Sequence, residues 1–518
     1  MAQWNAGYVA DISYTTGFYR EITPAWMGFA ALLLGHRAAD ITRPFRWAEL
    51  GCGQGFTATV AAACHPQAEF WGFDFNPSHI DNASHLAAAA GLGNLHLREA
   101  AFADLAAAPD GALPQFDFIV LHGIWSWVSA EQRAHLVRFI RRHLAPGGLV
   151  YNSYNTLAGW AAMLPIQRLI RRWLTQNPLP ALEAAAGVIK YLQDLCKTDA
   201  AFFQQNAAVV GRLEKIGTLD PRYFVHEYFN ATWEPTGFDL VSADMEEARC
   251  GFIGSATLVD NMDAVAVPPG VGKVIARTGD PVTRELLRDL GAARAFRRDL
   301  YRRGTDQPLA GEHMAMLEAI TITGTGSERE PDIQFQTGIG YVTPKAEIYG
   351  PVLERLTRGP LGMRELRAMP ALRDQPMAEA LQVVGFLTAG GLAHPTPADR
   401  LDHASVAAAL ALNRQIGLGN ERGGNTHFLA APRIGSALAI DPVEAMILPE
   451  LSAEGPLDVA TLAARVLAIL AQSGRSVMKD GTVVPDPAAA RASMTETVTR
   501  IVAERVPLFR RLGILEGG

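Results

Sequence analysis

Cysteine is scarce in this chain: Cys52, Cys64, Cys196 and Cys250 are its only four in 518 residues, and none sit at paired spacing. That excludes a disulfide framework and the usual zinc-ligand spacings, and it makes a reducing cytoplasm the expected compartment. Positive charge is not in excess either. With 46 Lys and Arg against 53 Asp and Glu, the net charge is −7, the opposite of the basic footprint that nucleic-acid binding needs. No apolar run approaches the roughly 20 residues of a membrane-crossing helix, so no membrane partner is expected. The apolar stretch 27–34 follows Arg20 and Glu21 without a small-residue cleavage pattern, and it reads as a helix rather than a leader. There is no repeat of fixed period and no cluster of His, Cys, Asp and Glu at metal-ligand spacing, so no metal is expected. An apolar fraction of 49% and a charged fraction of 19% describe an ordinary globular chain with room for about two to four domains.

What the chain does have is a glycine turn. Glu49-Leu50-Gly51-Cys52-Gly53-Gln54-Gly55 precedes a helical pattern, and Phe70-Trp71-Gly72-Phe73-Asp74 follows it. Strand, glycine turn, helix, strand and carboxylate is the layout of a nucleotide-binding βαβ unit. The residues also bear on which nucleotide. Bulky Phe56 stands where a dinucleotide fingerprint wants Gly or Ala, and no Lys or Arg lies between Arg46 and Arg98. A pyrophosphate would meet Glu49 with little basic compensation, whereas a ligand carrying a sulfonium and an ammonium would not. S-adenosylmethionine fits and NAD fits poorly. Asp74 stands where a ribose diol would take a bidentate contact, and Asp104 follows the third strand, placed to accept from an adenine amino group. Any one of these acids taken alone reads as a solvated loop residue; the ordered set does not.

Residues 1–45 read as a mostly helical cap, with Tyr8, Tyr14, Phe18 and Tyr19 ahead of a Thr23-Pro24 helix start. Then come strand 45–50, helix 55–64, strand 69–73, helix 77–90, strands 95–98 and 116–122, helix 129–144 and strand 148–154. That alternation predicts a parallel sheet with helices on both faces and a ligand outside the carboxyl ends of its strands. From 161 to about 265 the chain reads as helical. Residues 324–344 read as strands or a linker, 351–395 as helix, short helix, helix, and the tail from 456 as helical. The expected division is 1–160, a Rossmann-like α/β sheet with its cap; 161–335, a largely helical middle domain; and 336–518, a winged-helix-like C-terminal domain.

The strand ends nominate the acceptor site. His122 closes strand 116–122 as a general base or a hydrogen-bonding orienter, or else as a satisfied strand-end histidine. Trp125 and Trp127 wall a channel for a cationic amine, or pack in the core. Residues 151–160, with Tyr154 and Asn155, carry more polar and aromatic groups than a plain connection needs, and they could aim an amine lone pair. The stretch 221–229, with His226, Glu227 and Tyr228, reads either as part of an acceptor pocket or as a packing seam. Arg294, Arg297, Arg298, Arg302 and Arg303 read as about three turns of helix presenting a solvated or ion-paired face.

With those residues in view, 1–160 resembles the class I S-adenosylmethionine-dependent methyltransferases. The stretches Glu49–Gly53, Leu121–Val128 and Ser153–Thr156 resemble a bacterial subgroup carrying a methyltransferase regulatory domain. The stretches His226–Phe229, Gly251–Ala256 and Phe296–Leu300 are similar to that domain. The subgroup includes rickettsial-type protein lysine methyltransferases that modify outer-membrane proteins. The resemblance implies S-adenosylmethionine as cofactor, held by Tyr14, Glu49, Gly51, Gly53, Gly55, Asp74, Phe75, Phe102, Ala103, Asp104, His122 and Gly123. It implies acceptor positioning by His122, Trp125, Tyr154, Asn155 and Tyr228, a protein substrate such as an envelope or secreted protein, and dimers. Three readings stand at this point: a protein-lysine N-methyltransferase, the same chemistry on a small molecule, and a regulatory scaffold with a vestigial cofactor site. The intact Glu49, Asp74 and Asp104 weigh against the last.

Overall fold

The computed structural model describes residues 16–218, 220–326, 333–397, 401–451, 458–479 and 482–516. The N-terminal cap begins as expected: Thr23 caps helix α1 (Pro24–Leu33), accepting from the Trp26 amide, with Pro24 at the first helical position. Tyr8 and Tyr14 lie outside the described residues.

Five strands run parallel, β1 (Arg46–Leu50), β2 (Glu69–Asp74), β3 (Leu95–Glu99), β4 (Phe116–Leu121) and β5 (Leu144–Asn155). Between them lie α2 (Phe56–Cys64), α3 (Pro77–Ala89), α4 (Phe102–Ala107) and α5 (Ala130–His143). Burial follows from the helices on both faces: β1 shows only its first residue to solvent, and β4 is buried at five of six positions. The observed boundaries lie within a few residues of those read from the sequence.

The sheet does not end at β5. Its order is β3-β2-β1-β4-β5-β7-β6, and the last two strands, β6 (Cys250–Ser255) and β7 (Phe296–Arg303), come from the segment expected to be helical. β7 runs antiparallel to both β5 and β6. The arginine cluster is therefore strand, not three turns of helix. Its residues alternate with period two: Arg297, Asp299 and Tyr301 turn to one face, Arg298, Leu300 and Arg302 to the other. Arg297 is fully buried and ion-paired to Asp289 at 2.8 Å, Glu285 at 2.8 Å and Asp299 at 2.9 Å. The chain thus crosses the division expected at residue 160, because these edge strands close the sheet that the first 155 residues leave open.

The rest of the middle segment is helical around a core of Trp160, Ile170, Val188, Leu213, Phe224, Val225, Tyr228 and Trp233. It docks on the end of β5, where Thr236 N donates to Asn155 O at 3.0 Å and Leu157 N to Thr236 O at 3.0 Å. Farther on, Thr321–Gly324 forms the centre of a three-stranded antiparallel sheet flanked by Leu361–Gly362 and Ala393–Pro395. Helices Ala346–Leu356, Met363–Ala368 and Met377–Ala389 give the helix, short helix, helix order expected there. A winged-helix-like description does not extend over 336–518. From His403 on, five helices among the described residues and the hairpin Phe428–Ala431/Ser436–Ala439 form a second core that includes Phe56, Val60 and Cys64 of α2. That bundle covers the outer face of the helix which the glycine turn starts.

Candidate active site

β1 connects to β2 on one side and the chain returns through β4 on the other, so strand order reverses between β1 and β4. Ligands of open parallel sheets bind at such a switch point. A cleft of about 550 Å³ opens there, within the usual range for ligand sites.

The glycine turn forms one end. Gly51 and Gly53 hold φ of +77° and +53°, in the left-handed region that favours glycine. A Cβ at Gly51 would lie 2.2 Å from Ile124 Cδ1, whereas one at Gly53 would meet nothing within 4 Å, because the cleft lies beside it. Glu49 closes β1 with its side chain in the cleft, and its Oε2 is buried without a hydrogen-bond partner. Burial, then the nearby Asp74, push its pKa well above the ordinary range. Asp74 accepts from Gly53 N at 2.8 Å and Asn76 N at 2.9 Å, and His79 Nδ1 lies 3.3 Å away. Its carboxylate therefore ties the turn to the start of α3 while still lining the cleft.

The floor is aromatic and neutral. The His122 ring stacks on Tyr19 at 3.7 Å between centroids, and its Nδ1 is 3.0 Å from Tyr151 Oη. Burial first and Arg298 second lower its pKa to about 3, so the imidazole is uncharged at neutral pH. Gly123 N donates to Ser153 Oγ at 2.9 Å.

The far wall comes from β5 and from helix Pro221–Tyr228. Asn155 N donates to Ser126 Oγ at 2.9 Å, and its Nδ2 reaches Glu227 Oε1 at 3.5 Å. Trp127, Trp160, Tyr223, His226, Phe296 and Arg298 complete this end. Burial raises Glu227 to about 7 against the smaller opposing effects of Asn155 and Arg212.

Of the cofactor residues read from the sequence, Glu49, Gly51, Gly53, Asp74, Phe75, Phe102, His122 and Gly123 line the cleft together. Gly55 does not. It starts α2, and a Cβ there would lie 3.0 Å from Ala83, so its smallness serves helix packing. Ala103 and Asp104 also lie off the cleft: Ala101 and Phe102, at the start of α4, line it, and Asp104 is exposed. Tyr14 lies outside the described residues. Of the acceptor residues, His122 and Asn155 are in the cleft, while Trp125, Tyr154 and Tyr228 are not.

Each of the three misplaced residues has a clear reason. Trp125 is 1% exposed and packs with the core under β4, leaving Trp127 to line the cleft. Tyr154 falls on the other face of β5 from Tyr151, Ser153 and Asn155, and its hydroxyl donates to buried Asp299 at 2.7 Å. Tyr228 shares a helix face with Phe224 and Val225 in the helical core, while Tyr223, His226 and Glu227, at i, i+3 and i+4, share the face on the cleft. The sequence reading missed Tyr19, Gln132 and Arg298 as site residues, and it held Trp160, Tyr223 and Glu227 only within the candidate stretches 151–160 and 221–229. Glu227 was legible, because it stands in a motif already singled out and the helical period separates its face from that of Tyr228. Arg298 needed the strand assignment first.

The acceptors suit a cationic ligand. Two carboxylates face the glycine-turn end, one with an unpartnered buried oxygen, and among the described residues the single Lys or Arg that lines the cleft, Arg298, comes from β7. A pyrophosphate would have carboxylates for neighbours, while an ammonium would satisfy Glu49.

Comparison with known proteins agrees. Residues 48–150 match a methyltransferase domain, and residues 220–303 match a predicted methyltransferase regulatory domain. The protein sll1526 of Synechocystis is 33% identical over 513 residues, 99% of each chain. The protein RP789 of Rickettsia prowazekii is 25% identical over 304 residues, 56% of this chain and 51% of its own. Among solved structures, PKMT2 from Rickettsia typhi in complex with AdoHcy shares the fold over 97% of this chain and 99% of its own, with a TM-score of 0.68 at 18% identity. S-adenosylmethionine is thus the cofactor that the cleft accommodates, and the chain belongs to the class I S-adenosylmethionine-dependent methyltransferases that carry a methyltransferase regulatory domain.

Proposed function

We propose that the enzyme is an N-methyltransferase whose acceptor is an amine, the side chain of a lysine presented by a protein. One observation carries the reading: the regulatory segment closes the acceptor end of the cofactor cleft with Tyr223, Glu227 and Phe296, beside Trp127 and Trp160. Aromatic faces attract an ammonium, and removal from water favours the neutral amine that reacts. The resemblance to rickettsial-type protein lysine methyltransferases points the same way.

The cofactor supplies a methyl group on a sulfonium, whose C–S bond breaks with its electron pair left on sulfur. Glu49 would hold its ammonium, Asp74 its ribose, and Phe75 and Phe102 would flank its base. His122, neutral and fixed by Tyr19 and Tyr151, offers a hydrogen bond without a competing charge. A cavity of about 550 Å³ admits the end of one side chain beside the cofactor, so a protein acceptor would insert a lysine from the mouth. We place this activity in the cytoplasm, in keeping with four free thiols; among the described residues no helix is long and apolar enough to cross a membrane.

A small-molecule amine is the second reading, favoured by the same volume, which is typical of small-ligand sites. Incubating the enzyme and labelled S-adenosylmethionine with fractionated bacterial lysate separates the two. Label on lysines of intact proteins is the expected result. Label confined to small molecules would transfer the activity to the second reading, and no label in any fraction would favour a scaffold.

A further inference from the structure

Among the described residues three carboxylates line the cleft, and the glycine-turn end accounts for two of them, Glu49 and Asp74. The third, Glu227, stands at the acceptor end on the inward face of helix Pro221–Tyr228. Its hydrogen-bond partner is itself held in place. Asn155, which donates to Glu227 Oε1 from Nδ2 at 3.5 Å, is itself held by Ser126 Oγ on its amide and by Thr236 N on its carbonyl. That puts Glu227 beside the carboxyl end of β5, where the strands of such sheets meet their ligands.

Resting on the amine reading above, we propose that Glu227 is a catalytic residue, the acceptor of the proton that an incoming ammonium must lose, and that Asn155 positions its carboxylate. The acceptor's N–H bond breaks and the proton moves to a Glu227 oxygen. The freed lone pair forms the N–C bond to the methyl group, and the C–S electrons stay on sulfur. One proton is released per transfer. Glu227, partly exposed, hands it to water and returns to carboxylate.

The groups around Glu227 favour this assignment. Arg212, from helix Ala207–Ile216, and Asn155 favour the carboxylate, and burial opposes them more strongly, leaving Glu227 near 7. A base at that value is far better matched to a lysine ammonium, which ordinarily titrates near pH 10.4, than an ordinary glutamate would be. Tyr223 and Tyr228, on the same helix, are both raised by burial, Tyr223 to about 12, and stay protonated. His122 is lowered to about 3 and is too weak a base. His226 lines the same wall and is the rival.

The test uses the full-length enzyme with lysine-containing peptides and with butylamine as the minimal amine. Glu227→Gln should lower kcat about 10²–10⁴-fold, the usual contribution of a positioned base, while S-adenosylhomocysteine affinity measured by calorimetry stays unchanged. In the wild type the rate should fall below a midpoint near pH 7. In Glu227→Gln that acid limb should move toward the amine's own titration. A readout independent of turnover is the carboxyl carbon of ¹³C-labelled glutamate, where one signal should titrate near pH 7 in the S-adenosylhomocysteine complex and shift when butylamine is added. Should Glu227→Gln be recovered unfolded, Glu227→Asp and the wild-type titration give the same readouts. An amine methylated as fast by Glu227→Gln, with its acid limb intact, overturns the inference and leaves the amine reading standing. So does a limb that vanishes in His226→Gln and survives in Glu227→Gln. A wild type that methylates no amine overturns both.

Discussion

Replacing Glu227 with Gln should make the protein more stable above pH 7 while leaving it unchanged below pH 4.5. Burial raises this carboxyl from its ordinary 4.5 to about 7. In the folded state the proton is therefore held to a higher pH than in the unfolded chain. Below pH 4.5 both states carry the neutral acid, and the contribution to stability is fully present. Between 4.5 and 7 the unfolded chain ionises first, and native stability falls. Above 7 both are ionised and the loss is complete. A displacement of that size corresponds to about 3 kcal/mol, since each tenfold change in proton affinity is worth about 1.4 kcal/mol. Gln keeps an oxygen for the Asn155 amide and never ionises, so the variant should escape that loss. The difference in unfolding free energy between variant and wild type should be near zero at pH 4, rise through pH 4.5–7, and level off at about 3 kcal/mol by pH 8. Denaturant titrations across that range, followed by tryptophan fluorescence, measure it. A variant no more stable than wild type at pH 8, or a difference that grows toward acid, would show that the Glu227 carboxyl is not raised by its surroundings. Loss of activity together with a gain in stability is what a strained functional group predicts.

Three further outcomes follow from the site. Tyr154→Phe should leave S-adenosylhomocysteine affinity intact and cost about 1–2 kcal/mol of stability, because Asp299 loses a buried donor at 2.7 Å; a selective loss of turnover would instead place Tyr154 at the chemistry. Glu49→Gln should weaken S-adenosylhomocysteine binding by about 1–3 kcal/mol, the cost of a lost charged hydrogen bond. It should also abolish a proton release seen in the wild type, since a carboxyl held neutral by burial ionises against the ligand's ammonium; calorimetry in buffers of different ionisation heat detects both effects. Gly51→Ala should lower the melting temperature and impair binding together, because its φ of +77° and the Ile124 methyl 2.2 Å from the added carbon both oppose a side chain; unchanged melting and binding would refute the tight turn.

The glycine-turn half of the site was legible because its determinants are local. Gly51, Gly53, Glu49 and Asp74 sit within one βαβ unit, and the order of a turn and its flanking acids is written along the chain. The acceptor half was legible as a set of segments and not as a set of residues. Within 151–160 the deciding fact is strand parity, which sends Asn155 to the cleft and Tyr154 to Asp299. Within 221–229 it is helical phase, which sends Glu227 in and Tyr228 to the helical core. Both periods are simple, but the face that meets the ligand is set by contacts with Ser126 and Thr236 and with the helical core, all distant in sequence. The arginines of 294–303 misled for a related reason. A strand ion-paired to helix Pro281–Gly291 breaks the alternation of apolar and polar residues that signals a strand, because its inward positions are themselves charged.

Those inward charges bear on how the acceptor wall is held. Arg297, fully buried, gathers Asp289, Glu285 and Asp299. Buried ion pairs of this kind add little net stability over an apolar core, yet breaking one is costly, so their effect is to admit one arrangement. Here that arrangement ties helix Pro281–Gly291 to β7, and residues 294–295, just before β7, to the turn that follows Asn155. Thr156 Oγ1 donates to Arg294 O, Thr156 N donates to Ala295 O at 3.0 Å, and Trp160 Nε1 donates to Ala295 O at 2.7 Å. Asn155 and Trp160, both in the cleft wall, are thereby fixed from behind. Proton transfer and methyl transfer depend on the position of the reacting atoms to within about an ångström. The regulatory segment therefore has two structural tasks in this chain: helix Pro221–Tyr228 brings Glu227 to the cleft, and β7 with its ion pairs holds the β5 terminus against which Glu227 is positioned.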